Sequence, residues 1–260
     1  MAPAGMSFQP LILTSAEMAV VFQHLLGPAA AEGGLLGELD LKPPALDAAR
    51  ARLLERGLLR PAPDRARPNT FIAPGARALL GTVTRPQMLG VLHIMRPGQD
   101  ERGAYFSWTP ELLVFNTVDE QGNHHLEPLT GPAAIADRAL AECGLLKFSP
   151  SPAPLPANLD AVGQAASLRA IFMTVASART ANEKVNGLAW LVSAGRLWLM
   201  AAQPPDLRST APVPPAPPKA DLRAILPADL RAAILTAVQL AIDHTRAVVE
   251  AAQAEGVRPR

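Results

Sequence analysis

Hydrophobic positions change their period along this chain, and the changes mark its elements. Near the start the spacing is helical. Thr14-Ser15-Ala16-Glu17 fits a capping box, in which a hydroxyl at the N-cap and a carboxylate three residues on each satisfy an orphan amide. The helix it opens is predicted to run to about Leu26 and to stop at Gly27-Pro28. A second, short helix is predicted around Leu35–Leu39. Pro43-Pro44 opens a third, because the missing proline N–H costs nothing in a first turn. That helix carries Leu46, Ala49, Leu53 and Leu54 on one face and ends at Gly57, a residue suited to a left-handed stop. Leu58-Leu59-Arg60 and Thr70-Phe71-Ile72 read as two strands around a polar loop. Helices followed by a two-stranded wing are the order of a winged-helix module, assigned to residues 1–82, with Ala73–Leu80 as one more helix leading out.

Beyond Pro86 the period shortens to that of strands. Strands are predicted at Met88–Met95, Ala104–Trp108, Leu112–Val118 and around His125–Leu129, followed by a helix that Pro132 opens and Gly144 closes. From Leu168 the order recurs: strands at Leu168–Ala176, Gly187–Val192, Arg196–Ala202 and Leu222–Ile225, then a long helix from Pro227. Phe106-Ser107-Trp108 matches Leu188-Ala189-Trp190, and Pro132 with Ile135 matches Pro227 with Leu230. Two such halves can pair edge to edge and cover each other's unpaired strands. The expected fold is therefore α+β: a winged-helix-like module, then a duplicated, mainly antiparallel sheet flanked by helices. The predicted segments are residues 1–82, a first half at 83–148, a Pro-rich linker at 149–166 and a second half at 167–260.

Composition narrows the function classes. The chain has 260 residues, 49% of them hydrophobic and 18% charged, which supports a sizeable core and argues against a disordered chain. Lys+Arg 24 against Asp+Glu 23 gives a net charge of +1, so there is no bulk attraction to nucleic acid. One cysteine, Cys143, excludes an internal disulfide. No uninterrupted apolar run of membrane-spanning length and no leader-like start are read in the sequence, so a cytoplasmic location is expected. Of the 27 prolines, many lie in Pro150–Pro156 and Gln203–Pro218, which read as an extended linker and a stiff exposed loop.

Catalytic signatures are absent: no phosphate-cradling Gly-rich loop, no His-Glu-x-x-His and no Gly-x-Ser-x-Gly. His124-His125 lack convergent companions, and zinc needs three or four ligands. Cys143 sits at a helix C-terminus, where the dipole disfavours a thiolate. Asp119-Glu120 and Asp100-Glu101 fall in turns, where carboxylates are ordinarily solvated. No cofactor, no metal and no catalytic residue are expected.

Two binding surfaces remain. From Lys42 to Arg77 the module has eight basic and three acidic residues, with Arg50, Arg52 and Arg65 as the candidate phosphate contacts of a DNA-binding regulator whose sheet domain senses a ligand or partner. The helix that would read bases presents Pro44, Ala45, Asp47, Ala48 and Ala51, which lack the side chains for base readout, so nucleic acid is the lesser reading. On the last helix, Leu230, Ile234, Val238, Ala241 and Val248 form an apolar stripe, and Leu235, Ile242 and Val249 recur every seven residues as a shoulder beside it. Either the Ala73–Leu80 or the Pro132 helix covers that shoulder, or it receives a partner helix. The second alternative predicts that Leu235, Ile242 and Val249 are at least partly exposed, and makes them the candidate partner-binding residues.

Leu53-Leu54-Glu55-Arg56-Gly57-Leu58-Leu59, Gly195-Arg196-Leu197-Trp198 and Ile225-Leu226-Pro227-Ala228-Asp229-Leu230, in this order, give the chain a similarity to the EspG family of ESX (type VII) secretion-associated chaperones. The family shows a Gly-Arg-aromatic strand and a Pro-Ala-Asp helix start in the same sequence. This chain departs from it in lacking longer glycine-rich and acidic segments and in carrying the Gln203–Pro218 insertion. The resemblance implies a cytosolic, non-enzymatic chaperone or adaptor that binds the helical tip of a secretion substrate and shields its apolar surface.

Overall fold

A computed structural model of the chain describes residues 10–27, 42–61, 70–151, 159–176, 184–200 and 222–254. The fold is α+β. In chain order the elements are β1 (Leu11–Thr14), α1 (Ser15–Leu26), α2 (Pro43–Glu55), β2 (Leu59–Pro61), β3 (Thr70–Ile72), α3 (Pro74–Thr84), β4 (Met88–Met95), β5 (Arg102–Trp108), β6 (Leu113–Val118), β7 (Asn123–Leu129), α4 (Pro132–Glu142), α5 (Leu159–Gln164), β8 (Leu168–Ala176), β9 (Lys184–Ser193), β10 (Arg196–Met200), β11 (Leu222–Ile225) and α6 (Pro227–Ala254). Nine strands form one antiparallel sheet in the order β1-β7-β6-β5-β4-β8-β9-β10-β11, and β2 and β3 pair separately. Four strands and a helix, β4–β7 with α4, are followed by four strands and a helix, β8–β11 with α6. The predicted order thus occurs twice.

Chain contacts divide the molecule into two compact units that do not follow the expected boundaries. The first takes residues 1–86 together with 107–129, so β6 and β7 group with the N-terminal elements. The cause is β1, which has no counterpart in the predicted elements. It pairs antiparallel with β7, Leu11 opposite Leu126 and Thr14 opposite Asn123. α1 and α3 then close over the same strands, and Leu13, Met18, Val21, Leu53, Leu80, Val114 and Leu126 form one core. Within this unit α1 and α2 are followed by the antiparallel β2–β3 pair. The short helix expected at Leu35–Leu39 lies outside the described residues.

The capping box is present. Thr14 Oγ1 accepts from the Glu17 amide at 3.2 Å, and Glu17 Oε2 accepts from the Thr14 amide at 2.9 Å. Glu17 is only 2% exposed, so its carboxylate needs compensation. α2 supplies it: Arg56 Nη1 donates to Glu17 Oε2 at 3.1 Å, and Arg52 Nε lies 3.6 Å from Oε1. Arg56 Nη2 also donates to the Ile12 carbonyl at 2.7 Å. One guanidinium therefore ties α2 to both α1 and β1.

Beside this cap, at the start of β7, Asp119 organises the β6–β7 turn. It accepts from the amides of Gln121 and Asn123, from Asn123 Nδ2 at 3.0 Å and from His125 Nε2 at 2.9 Å. The bond from His125 leads these in holding the carboxyl well below its ordinary 3.8. His124 faces the other way. It is buried with Asn116 Nδ2 3.4 Å from its Nδ1, and burial holds its imidazole below the ordinary 6.5.

The second unit takes residues 87–106 and 130–260. β4 and β8 pair over eight positions, from Met88 opposite Ala176 to Met95 opposite Arg169. Alternation divides β4 cleanly: Met88, Gly90, Leu92 and Ile94 are buried, and Leu89, Val91, His93 and Met95 are half-buried. Phe106 packs edge-on against Phe172, with ring centroids 5.9 Å apart. Gly90 makes room for this contact, since a Cβ there would stand 3.2 Å from Phe106 Cβ. The β9–β10 hairpin turns on Ala194 and Gly195, both at positive φ (51° and 68°), as a two-residue turn with two left-handed residues requires. α5, inside the segment predicted as linker, brings Val162 onto Leu191 and Trp198.

Two predictions follow from these buried polar groups. Arg56→Ala removes two bonds from Glu17 and one from β1, leaving a buried carboxylate short of partners. It should lower stability by about 1–3 kcal/mol, clearly more than Arg52→Ala, as measured by urea unfolding. Stability should also fall with acidity. His124 and Asp119 both bind protons less readily folded than unfolded, so stability is fullest above about pH 6.5. It declines first as the unfolded-state His124 protonates, and again below about pH 4 through Asp119. Urea midpoints at about pH 7.5 and pH 5 should differ in the wild type and converge in His124→Gln. An unchanged difference would remove His124 as its source.

Candidate functional site

α6 is the element on which the sequence places partner binding. Pro227 opens it, and Asp229 Oδ2 accepts from the Leu226 amide at 3.0 Å, closing the exposed N-terminal end. Of its stripe, Leu230, Ile234, Val238 and Ala241 are fully buried and Val248 is half-buried, and the helix contacts β8, β9 and β4. By length and composition the stretch Pro227–Ala251 could cross a membrane, a feature the search for uninterrupted apolar runs did not register. Its apolar stripe is instead committed to the sheet, and its outer face carries Gln239, Asp243, Arg246 and Glu250.

The shoulder is not the open surface expected. Leu235 and Val249 are half-buried, but Ile242 is 1% exposed and belongs to the core. The reason is α4, which packs along this side of α6. Asp137 of α4 holds Arg231 in two hydrogen bonds, Nε to Oδ1 at 2.6 Å and Nη2 to Oδ2 at 3.1 Å. This fork lowers the Asp137 carboxyl from its ordinary value and raises the Arg231 guanidinium. Ile242 lies three turns beyond Arg231, on the same side of the helix. Of the two helices considered as a cover, the one opened by Pro132 is therefore in place.

The exposed apolar groups of this region lie on the opposite flank. Leu240 is 57% exposed and Leu226 is 55% exposed, with Ala233 half-buried between them and Ala247 exposed beyond. These four also recur every seven residues, so they follow one slowly drifting line. The same spacing that singled out Leu235, Ile242 and Val249 was available for them. What the sequence lacks is the direction from which the sheet and α4 approach.

The DNA-contact residues are placed differently from one another. Arg50 stands 3.5 Å from Asp47, one turn away. Arg52 lies 3.6 Å from Glu17, beside Arg56 and with its side chain 49% exposed, so it takes part in the α1–α2 contact. Arg65 lies outside the described residues.

The residues with chemical potential stay apart. His125 bonds Asp119, and His93 Nδ1 lies 2.6 Å from Glu101 Oε1. Among the described residues no three metal-binding side chains converge. Cys143 is buried, which pushes its thiol up to about 12, and a protonated thiol is a poor nucleophile.

No known family model matches the chain, and no curated protein matches its sequence. Solved structures do match its fold. A chain from the structure of the Mycobacterium tuberculosis type VII secretion system chaperone EspG5 in complex with the PE25-PPE41 dimer aligns with 90% of this chain and 96% of its own length, at a TM-score of 0.54 and 12% identity. In fold, the chain is similar to a type VII secretion chaperone.

Proposed function

We propose that this chain is a non-enzymatic, chaperone-like adaptor that holds a helical segment of a protein partner, a type VII secretion substrate, in the cytosol. The observation that supports this reading is the likeness of fold to the EspG5 structure over 90% of the chain. EspG5 is there in complex with a PE25-PPE41 dimer, and we assign this chain a partner of the same kind, supplied by its own host. The contact surface we favour is the flank of α6 that carries Ala233, Leu240 and Ala247, with Leu226 just ahead of the helix; half-buried Leu235 and Val249 lie on the other side, toward α4, and are not part of it. An exposed leucine, Leu240, flanked one heptad away on either side by the small residues Ala233 and Ala247, suits the ridge of an incoming helix.

Two substitutions separate this surface from the core. Ile242→Asp buries an unpaired charge and should prevent folding. Leu240→Asp changes an exposed position and should melt within about 0.5 kcal/mol of the wild type. Mixed with secretion substrates co-expressed from the native host, the wild-type chain should form a stable complex on gel filtration. Leu240→Asp should weaken that complex at least about tenfold. A folded Leu240→Asp protein that binds as well as the wild type would remove this flank as the contact. Failure of the wild-type chain to bind any such substrate would remove the function itself.

A further inference from the structure

We propose that the Glu17–Arg56 pair is an edge cap: it closes the outer side of β1 to a second copy of this chain, which would otherwise pair with it strand to strand. β1 ends the nine-stranded sheet, with β7 on its inner side and no described strand beyond it. An end strand turns the backbone groups of alternate residues outward, a ready template for another strand. Ile12 and Thr14 are two residues apart and so present their groups on the same side. Both are engaged by side chains. The Ile12 carbonyl accepts from Arg56 Nη2 at 2.7 Å, and the Thr14 amide donates to Glu17 Oε2 at 2.9 Å. The two caps are linked, because Arg56 Nη1 holds the same carboxylate at 3.1 Å. A single cluster therefore occupies an acceptor and a donor on the strand's open side.

The occupant excluded is a second β1. An antiparallel pair of identical strands is two-fold symmetric and self-complementary, and Ile12 is 50% exposed on this edge, an apolar side chain that a facing copy would cover. β1 itself carries none of the usual sequence protections, since 11–14 has neither lysine nor proline. The geometry also explains why this position holds arginine. A guanidinium reaches a carboxylate and a carbonyl at once, whereas an ammonium is a point charge.

The test uses the full-length chain and its mass in solution by light scattering over a concentration series. Arg56→Lys keeps the charge beside Glu17 but gives up the simultaneous bond to Ile12. It should fold and shift toward twice the wild-type mass as concentration rises. Arg52→Lys perturbs the same carboxylate without touching β1 and should keep the wild-type mass. Adding Ile12→Lys to Arg56→Lys places like charges opposite each other in the strand pair and should restore the wild-type mass. A folded Arg56→Lys protein with wild-type mass at every concentration overturns the proposal. So does an association that Ile12→Lys leaves intact, or one that Arg52→Lys produces equally.

Discussion

The join between β4 and β8 is the contact on which the sheet depends. A four-stranded meander has two unpaired edges, each a row of exposed donors and acceptors. Pairing β4 with β8 over eight positions satisfies one edge of each at a stroke. It also fixes what can be buried. A register slip of one residue would turn Leu92 and Phe172 away from α6 and bring His93 and Ile171 inward. The alternation of buried and half-buried residues in β4 and β8 is thus the condition for α6 to have a face to lie on. The contact of Phe106 with Phe172 across Gly90 belongs to the same side.

That dependence explains which parts were legible in the sequence. Period-two segments with turn residues between them located β4, β6 and β8 to within a residue or so at each end, because alternation and burial on one side are the same physical fact. Pro132 and Pro227 marked the starts of α4 and α6 because proline at a first helical turn is a local preference. β1 was not legible. Three apolar residues, Leu11 to Leu13, ahead of a capping box have no period of their own, and their partner lies more than a hundred residues away. α5 is six residues long and sits next to a proline cluster that outweighed it.

The binding surface shows the same limit from the other side. Helical spacing reveals how wide an apolar arc is, and α6 does carry more apolar surface than a sheet face needs. Spacing does not reveal which margin of the arc a neighbour will occupy. The packing of α4 settles it. Its buried Ile135, Ala136, Ala139 and Leu140 accompany its contact with α6. The exposed fork between Arg231 and Asp137 marks the margin it takes, and Ile242 is buried on that side. Neither Arg231 nor Asp137 has a sequence signature, since their 94-residue separation is bridged only in the folded chain. The basic run of α2 illustrates the point for charge. Arg52 and Arg56 count toward a positive patch in the sequence, yet in the structure they answer a buried glutamate.

The order in which the chain is made gives the Arg56 contact a further meaning. β1 is synthesised before its partner in the sheet, which follows only after another hundred residues and more. Arg56 comes only forty-four residues after Ile12, on a helix that packs directly against α1. During translation the outer side of β1 can therefore be occupied well before its inner side is paired. Where neighbouring ribosomes on one message carry nascent copies of the same chain, the strand meets its guard before it meets its mate.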